Sequence, residues 1–251
     1  MNILTIDVGN TNVAICLFSK KKPIYFVKIR NSDLTKTKLQ KHLLKKYIKN
    51  VDTNIILSSV VPVISKRIID FLMINKIKFH LLKDLSKTLE IKINIKQREK
   101  IGEDRITNAY YAKSKYLKNL IIIDFGTATT FDVIDAKGTY DGGIITPGID
   151  VSLKVLSERT AKLPLVKFAK TKNIIGKDTK SAIQSGFFWG YISMIQGLVD
   201  KISKEKKDSF RIILTGGNCD IFKSFIENVI VSDDLFNSKG LNFIMNEYLN
   251  K

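Results

Sequence analysis

The first apolar run of the chain ends in an Asp-x-Gly triplet and small polar residues: Ile3-Leu-Thr-Ile-Asp7-Val8-Gly9-Asn10-Thr11-Asn12-Val13-Ala14-Ile15. This pattern predicts a strand, a tight turn and a returning strand, with Asp7 at the tip. Backbone amides and short polar side chains at such a turn can grip phosphate oxygens, and an aspartate beside them can hold a hydrated Mg2+. A Gly-Asn pair after a strand is also an ordinary hairpin turn, so the stretch alone leaves both readings open. Further on, Leu120-Ile-Ile-Ile-Asp124-Phe-Gly126-Thr127-Ala-Thr129-Thr130-Phe-Asp132 repeats the plan. Asp124 matches Asp7, Gly126 matches Gly9 and Thr127 matches Asn10. A duplicated phosphate-gripping hairpin implies two related halves with a nucleotide cleft between them.

A third group is Gly102-Glu103-Asp104-Arg105, at the start of an amphipathic segment. Acidic residues in a first helical turn complement the helix dipole. The same Asp-Arg pair beside a glycine could also serve as a base and a substrate clamp. Near the end, Thr215-Gly216-Gly217-Asn218 follows an apolar strand and could pass under a nucleotide, although many strand-to-helix turns carry glycine for geometry alone.

The elements around these groups follow from periodicity. After the first hairpin, residues 23–29 read as a third strand and 34–48 as a helix, followed by a buried strand at 53–59. A helix then runs from Pro62 to about Asn75, and a strand covers 78–82. Three strands, helix, strand, helix, strand is the order of a ribonuclease-H-like half. Residues 91–100 read as a connection. The second half repeats the meander at 120–124, 129–135 and 139–145, with helices at 149–159, 180–203 and 240–249 and a strand at 211–215. The expected fold is α/β, two ribonuclease-H-like domains with mixed sheets flanked by helices, divided into 1–98 and 99–251. Small residues along the long helix (Ser185, Gly186, Gly190, Gly197) suggest close packing, in the core or against a second subunit.

Composition narrows the function classes. The 251 residues carry a formal net charge of +18, but only six of the 42 Lys and Arg residues are Arg, and the lysines are scattered. Nucleic-acid readers lean on Arg for bidentate contacts, so the charge reads better as a solvated surface that attracts anionic substrates. No apolar run reaches transmembrane length and no signal sequence is evident, which points to the cytoplasm. Cys16 and Cys219 are too few for a metal cluster, and His42 and His80 lack nucleophile or ligand spacing.

The ordered series Asp7–Asn12, Gly102–Arg105, Asp124–Thr130, Gly142-Gly143-Ile144-Ile145-Thr146-Pro147-Gly148, Thr160–Pro164, Ile175–Thr179, Ser185-Gly186 and Thr215–Gly217 resembles type III pantothenate kinases. That family lies within the acetate and sugar kinase, heat-shock ATPase and actin superfamily and also includes the Bvg accessory factor proteins. The resemblance covers nearly the whole chain. It implies ATP-dependent phosphorylation of pantothenate, the first step toward coenzyme A, by a homodimer using Mg2+ and a monovalent cation, K+ or NH4+. Carried over, Asp7, Val8, Gly9, Asn10, Thr11, Asn12, Val13, Ala14 and Thr127 bind ATP. Gly102, Glu103, Asp104, Arg105 and Thr179 bind substrate, Asp104 accepts the proton, and Asp124 ligates the monovalent cation. The stretch Ile95–Ile101 departs from the family by lacking an aromatic residue and an Asn-Pro segment. An accessory protein associated with nucleic acid is the competing reading. Aspartates at positions 7, 104 and 124 argue against it, because they would repel a phosphate backbone.

Overall fold

The computed structural model describes residues 1–44, 53–85 and 89–250. The chain forms two compact units, one made of 1–91, 96–115 and 235–251, the other of 92–95 and 116–234.

In the first unit, β1 (Asn2–Val8), β2 (Asn12–Ser19) and β3 (Lys22–Arg30) form an antiparallel meander, and β4 (Thr53–Ser59) pairs parallel with β1. With β5 (His80–Leu81) the sheet order is β3-β2-β1-β4-β5. Strand β1 is central, and all of Ile3 to Ile6 are buried because both its faces are covered. At the edge, β3 alternates between exposed and half-buried residues. Leu4, Ile6 and Val8 join the core under α1 (Lys36–Leu39) and α2 (Pro62–Ile74). Strand alternation turns Ile3, Thr5 and Asp7 to the opposite face. That face is covered by α4 (Glu103–Lys115) and α8 (Phe236–Leu249), which follow the short α3 (Leu82–Leu85) in the numbering. The helix expected over 34–48 is a 3-10 turn at 31–33, then α1, then a π-turn at 40–44. Its remainder lies outside the described residues.

The second unit repeats the plan. Strands β6 (Leu120–Phe125), β7 (Ala128–Ile134) and β8 (Tyr140–Pro147) form the meander, and β9 (Arg211–Gly216) lies parallel to β6. With β10 (Val229–Ser232) the order is β10-β9-β6-β7-β8, the same as in the first unit. Helices α5 (Ile149–Glu158), α6 (Thr179–Lys206) and α7 (Cys219–Phe222) complete it. Side chains of α5, α6 and α7 build its core with β6, β7 and β9, centred on Phe125, Phe188 and Phe222. A capping box between Asp178 and Ser181 starts α6, and Lys207 in the left-handed conformation ends it. Residues 92–95 run along β8, where the Asn94 amide bonds Tyr140 O and the Tyr140 amide bonds Lys92 O, both at 2.8 Å.

The division expected at 98/99 is therefore replaced by a discontinuous one. Helices α4 and α8 bury their apolar faces against each other and against β1 and β4, so both ends of the chain contribute to the first unit.

Candidate active site

In the first unit the hairpin between β1 and β2 is closed by the Gly9 amide on Asn12 O at 2.9 Å. Asp7 is half-buried at the end of β1, while Asn10 and Thr11 are exposed at the tip. Val8, Val13 and Ala14 continue the two strands, paired Val8 with Val13 and Asp7 with Ala14. The side chain of Asn31 also reaches this turn, donating through Nδ2 to Gly9 O and Asn10 O, each at 2.9 Å. The sequence reading passed over Asn31, because its acceptors lie some twenty residues upstream and the loop around it carries no motif.

The Gly102–Arg105 group opens α4 on the sheet face to which Asp7 turns. Its attachment is specific: Glu103 Oε2 accepts the Ser59 amide at 3.1 Å. Ser59 ends β4 and pairs with Val8, while Ser58 pairs with Asp7. Glu103 therefore fastens the start of α4 to the strand beside the hairpin. Burial pushes the Glu103 carboxyl above its ordinary range, with the Ser59 amide acting against the shift. Asp104 Oδ1 accepts the amide of Arg105 at 2.8 Å, and Asn237 of α8 donates to Asp104 O at 3.1 Å. At Gly102 a Cβ would stand 2.4 Å from Asp104 Oδ1, so the missing side chain leaves the carboxylate its position. Asp104 and Arg105 are both partly accessible to solvent.

In the second unit Asp124 is half-buried at the end of β6, and Thr127 is exposed at the tip of the matching hairpin. That turn is closed by the Gly126 amide on Ala128 O at 3.1 Å. Gly216, at φ +84°, lies against Asp124, where a Cβ would come within 2.6 Å of Asp124 Oδ1 and of Phe125 O. The turn expected from sequence after β9 thus borders the Asp124 carboxylate. Thr179 is exposed at the first turn of α6.

The candidate residues thus gather as two groups, Asp7 to Ala14 with Gly102 to Arg105 in the first unit, and Asp124, Thr127 and Thr179 in the second. Among the described residues, no three His, Cys, Asp or Glu side chains cluster as a ready-made metal cage. No helix of the described residues is long and apolar enough to cross a membrane.

Two sheets of one order, each with an Asp-x-Gly hairpin leaving its central strand, define a protein built of two ribonuclease-H-like halves. Solved structures share this fold. A chain described as a Baf family transcriptional activator from Campylobacter jejuni superposes with a TM-score of 0.65 at 19% identity, covering 99% of this chain and 100% of that one. MreB5 of Spiroplasma citri gives a TM-score of 0.52 at 12% identity, covering 99% and 97%. A family model for type III pantothenate kinase matches residues 3–201. The type III pantothenate kinase of Pelagibacter ubique is 41% identical over 244 residues, covering 95% of this chain and 96% of that protein. The chain belongs to the type III pantothenate kinase family.

Proposed function

We propose that the protein transfers the γ-phosphoryl group of ATP to the primary hydroxyl of pantothenate, giving 4′-phosphopantothenate as the first step of coenzyme A biosynthesis. The observation that carries the reading is the Glu103–Ser59 bond, which fixes the Asp104-bearing turn to the strand next to the Asp7 hairpin within one unit. Phosphoryl transfer depends on charge neutralisation and in-line positioning more than on a strong nucleophile. The hairpins at Gly9–Thr11 and Gly126–Thr127 would grip phosphate oxygens. Asp104 would take the proton of the attacking hydroxyl, and Arg105 would pair with the pantothenate carboxylate. Glu103 has its carboxylate on Ser59, so in this scheme it holds the turn rather than the substrate. Thr179 would add a polar contact to the acceptor.

The residues suit the expected ions. Asp7 offers one partly accessible carboxylate at a strand end, a donor set that fits Mg2+ shared with phosphate oxygens and water. Asp124, bordered by the Gly216 backbone, would hold the monovalent cation. When bound, these ions neutralise charge on the transferred group. We place the reaction in the cytoplasm and the enzyme in a homodimer.

A coupled ADP-release assay with pantothenate and Mg-ATP in K+ or Na+ tests the reading. Turnover in K+ and much less in Na+ is expected; no ADP release in either would overturn it. A second reading, association with nucleic acid, is favoured by the +18 charge alone. It would require salt-sensitive DNA binding that survives saturation with both substrates.

A further inference from the structure

We infer that Asn31 is a positioning residue for the nucleotide, the part that sets the Asp7 hairpin in its phosphate-gripping form; the inference rests on the kinase reading. Three successive carbonyls of the turn are taken by this one residue. Its Nδ2 donates to Gly9 O and Asn10 O, and its backbone amide donates to Thr11 O, all at 2.9 Å. Two carbonyl acceptors fix the orientation of the carboxamide, because the flipped form would set oxygen against oxygen. In a trans peptide the C=O and N–H lie in one plane and point in opposite directions across the C–N bond. Holding the carbonyls of Gly9 and Asn10 toward Asn31 therefore aims the N–H ends of the same two peptides, those of Asn10 and Thr11, to the other side. Successive amides aimed one way are what an anion meets at a backbone nest.

The second unit supports the assignment by contrast. Gly148 occupies the matching place, directly after β8 as Asn31 follows β3, and its amide bonds Thr127 O at 3.0 Å. A Cβ there would lie 2.3 Å from Gly126 O and 2.4 Å from Thr127 O, so that hairpin rests on bare backbone. The first hairpin is one residue longer, closing from Gly9 to Asn12 where the second closes from Gly126 to Ala128. This longer turn is the one to which the Asn31 carboxamide supplies two donors. Ala supplies none, Ser one, and Asp replaces donors by an acceptor facing two carbonyls.

Calorimetry of Mg-ATP binding and steady-state kinetics on the wild type, Asn31→Ala, Asn31→Ser and Asn31→Asp test this. Loss of two neutral hydrogen bonds predicts a rise of about tenfold in the dissociation constant and KM for ATP in Asn31→Ala. A smaller rise is expected in Asn31→Ser and the largest in Asn31→Asp, with KM for pantothenate within about twofold of wild type. Wild-type nucleotide affinity in Asn31→Ala, or equal changes in both KM values, would overturn the assignment. If the wild type binds Mg-ATP yet leaves pantothenate unphosphorylated, the kinase reading fails, while the calorimetric order of the variants still decides the role of Asn31.

Discussion

Asp104 owes its availability to the two residues before it. Gly102 gives its carboxylate room, and Glu103 carries the bond that fixes the turn. A Cβ at position 102 would collide with a side-chain oxygen that can swing away, so the expected cost falls on chemistry and not on folding. Gly102→Ala should melt within a few degrees of wild type but lose turnover toward the level of Asp104→Asn. That level is itself about 10²–10⁴-fold below wild type for a missing general base. A melting curve beside a turnover assay checks both. Wild-type turnover in Asp104→Asn would remove it from the base role. Glu103 predicts a pH dependence. Its folded pKa is raised by burial, so its contribution to stability is fully present below the unfolded pKa and is lost as pH rises through the folded one. Glu103→Gln keeps an acceptor for the Ser59 amide and cannot ionise. The melting temperature of wild type minus that of Glu103→Gln should therefore fall as pH goes from about 4 to about 7. A difference that grows over that range would contradict the burial argument.

Among the elements, α4 and α8 do the most to hold the first site. They meet closely at Gly240, where a Cβ would stand 2.7 Å from Thr107 Cγ2 and 3.2 Å from Thr107 O. Tyr110 OH reaches Glu247 Oε2 at 2.8 Å along the same seam. Gly240→Ala should push the helices apart and destabilise the protein by about 1–3 kcal/mol, the usual range for overpacking, measured by urea unfolding. The hairpins were legible in sequence because apolar runs ending in Asp-x-Gly recur with the same spacing. Strand β10 was not, being four residues long and at a sheet edge, too short for alternation to show. Asn31 escaped for a different reason: its work is done by a side-chain amide reaching back from the 3-10 turn after β3, and no local pattern announces that.

At the scale of the molecule, the duplicated hairpin and meander were readable, whereas the assignment of α8 was not. The periodicity of 240–249 identifies an apolar face without saying which sheet it will cover. In the structure Leu241, Ile244 and Met245 are buried in the first unit, and Asn242 Nδ2 bonds Lys20 O at 3.1 Å. Removing residues 235–251 should therefore unsettle the first unit while sparing the second. Hydrogen exchange would show this as lost protection in β1 and β4 with β6 and β9 still protected, and Mg-ATP affinity should fall. Equal loss in both sheets would mean the units do not fold as separate bodies.

The threading of the first unit also bears on how the protein is made. A ribosome delivers β1 and α4 before the second unit and α8 only after it, so one face of the sheet carrying the Asp7 hairpin is covered by α4 alone while the second unit is made. The second unit, whose residues emerge almost without interruption, can close on its own schedule. Nucleotide binding by the nascent chain would then wait on α8, which is made only after the second unit.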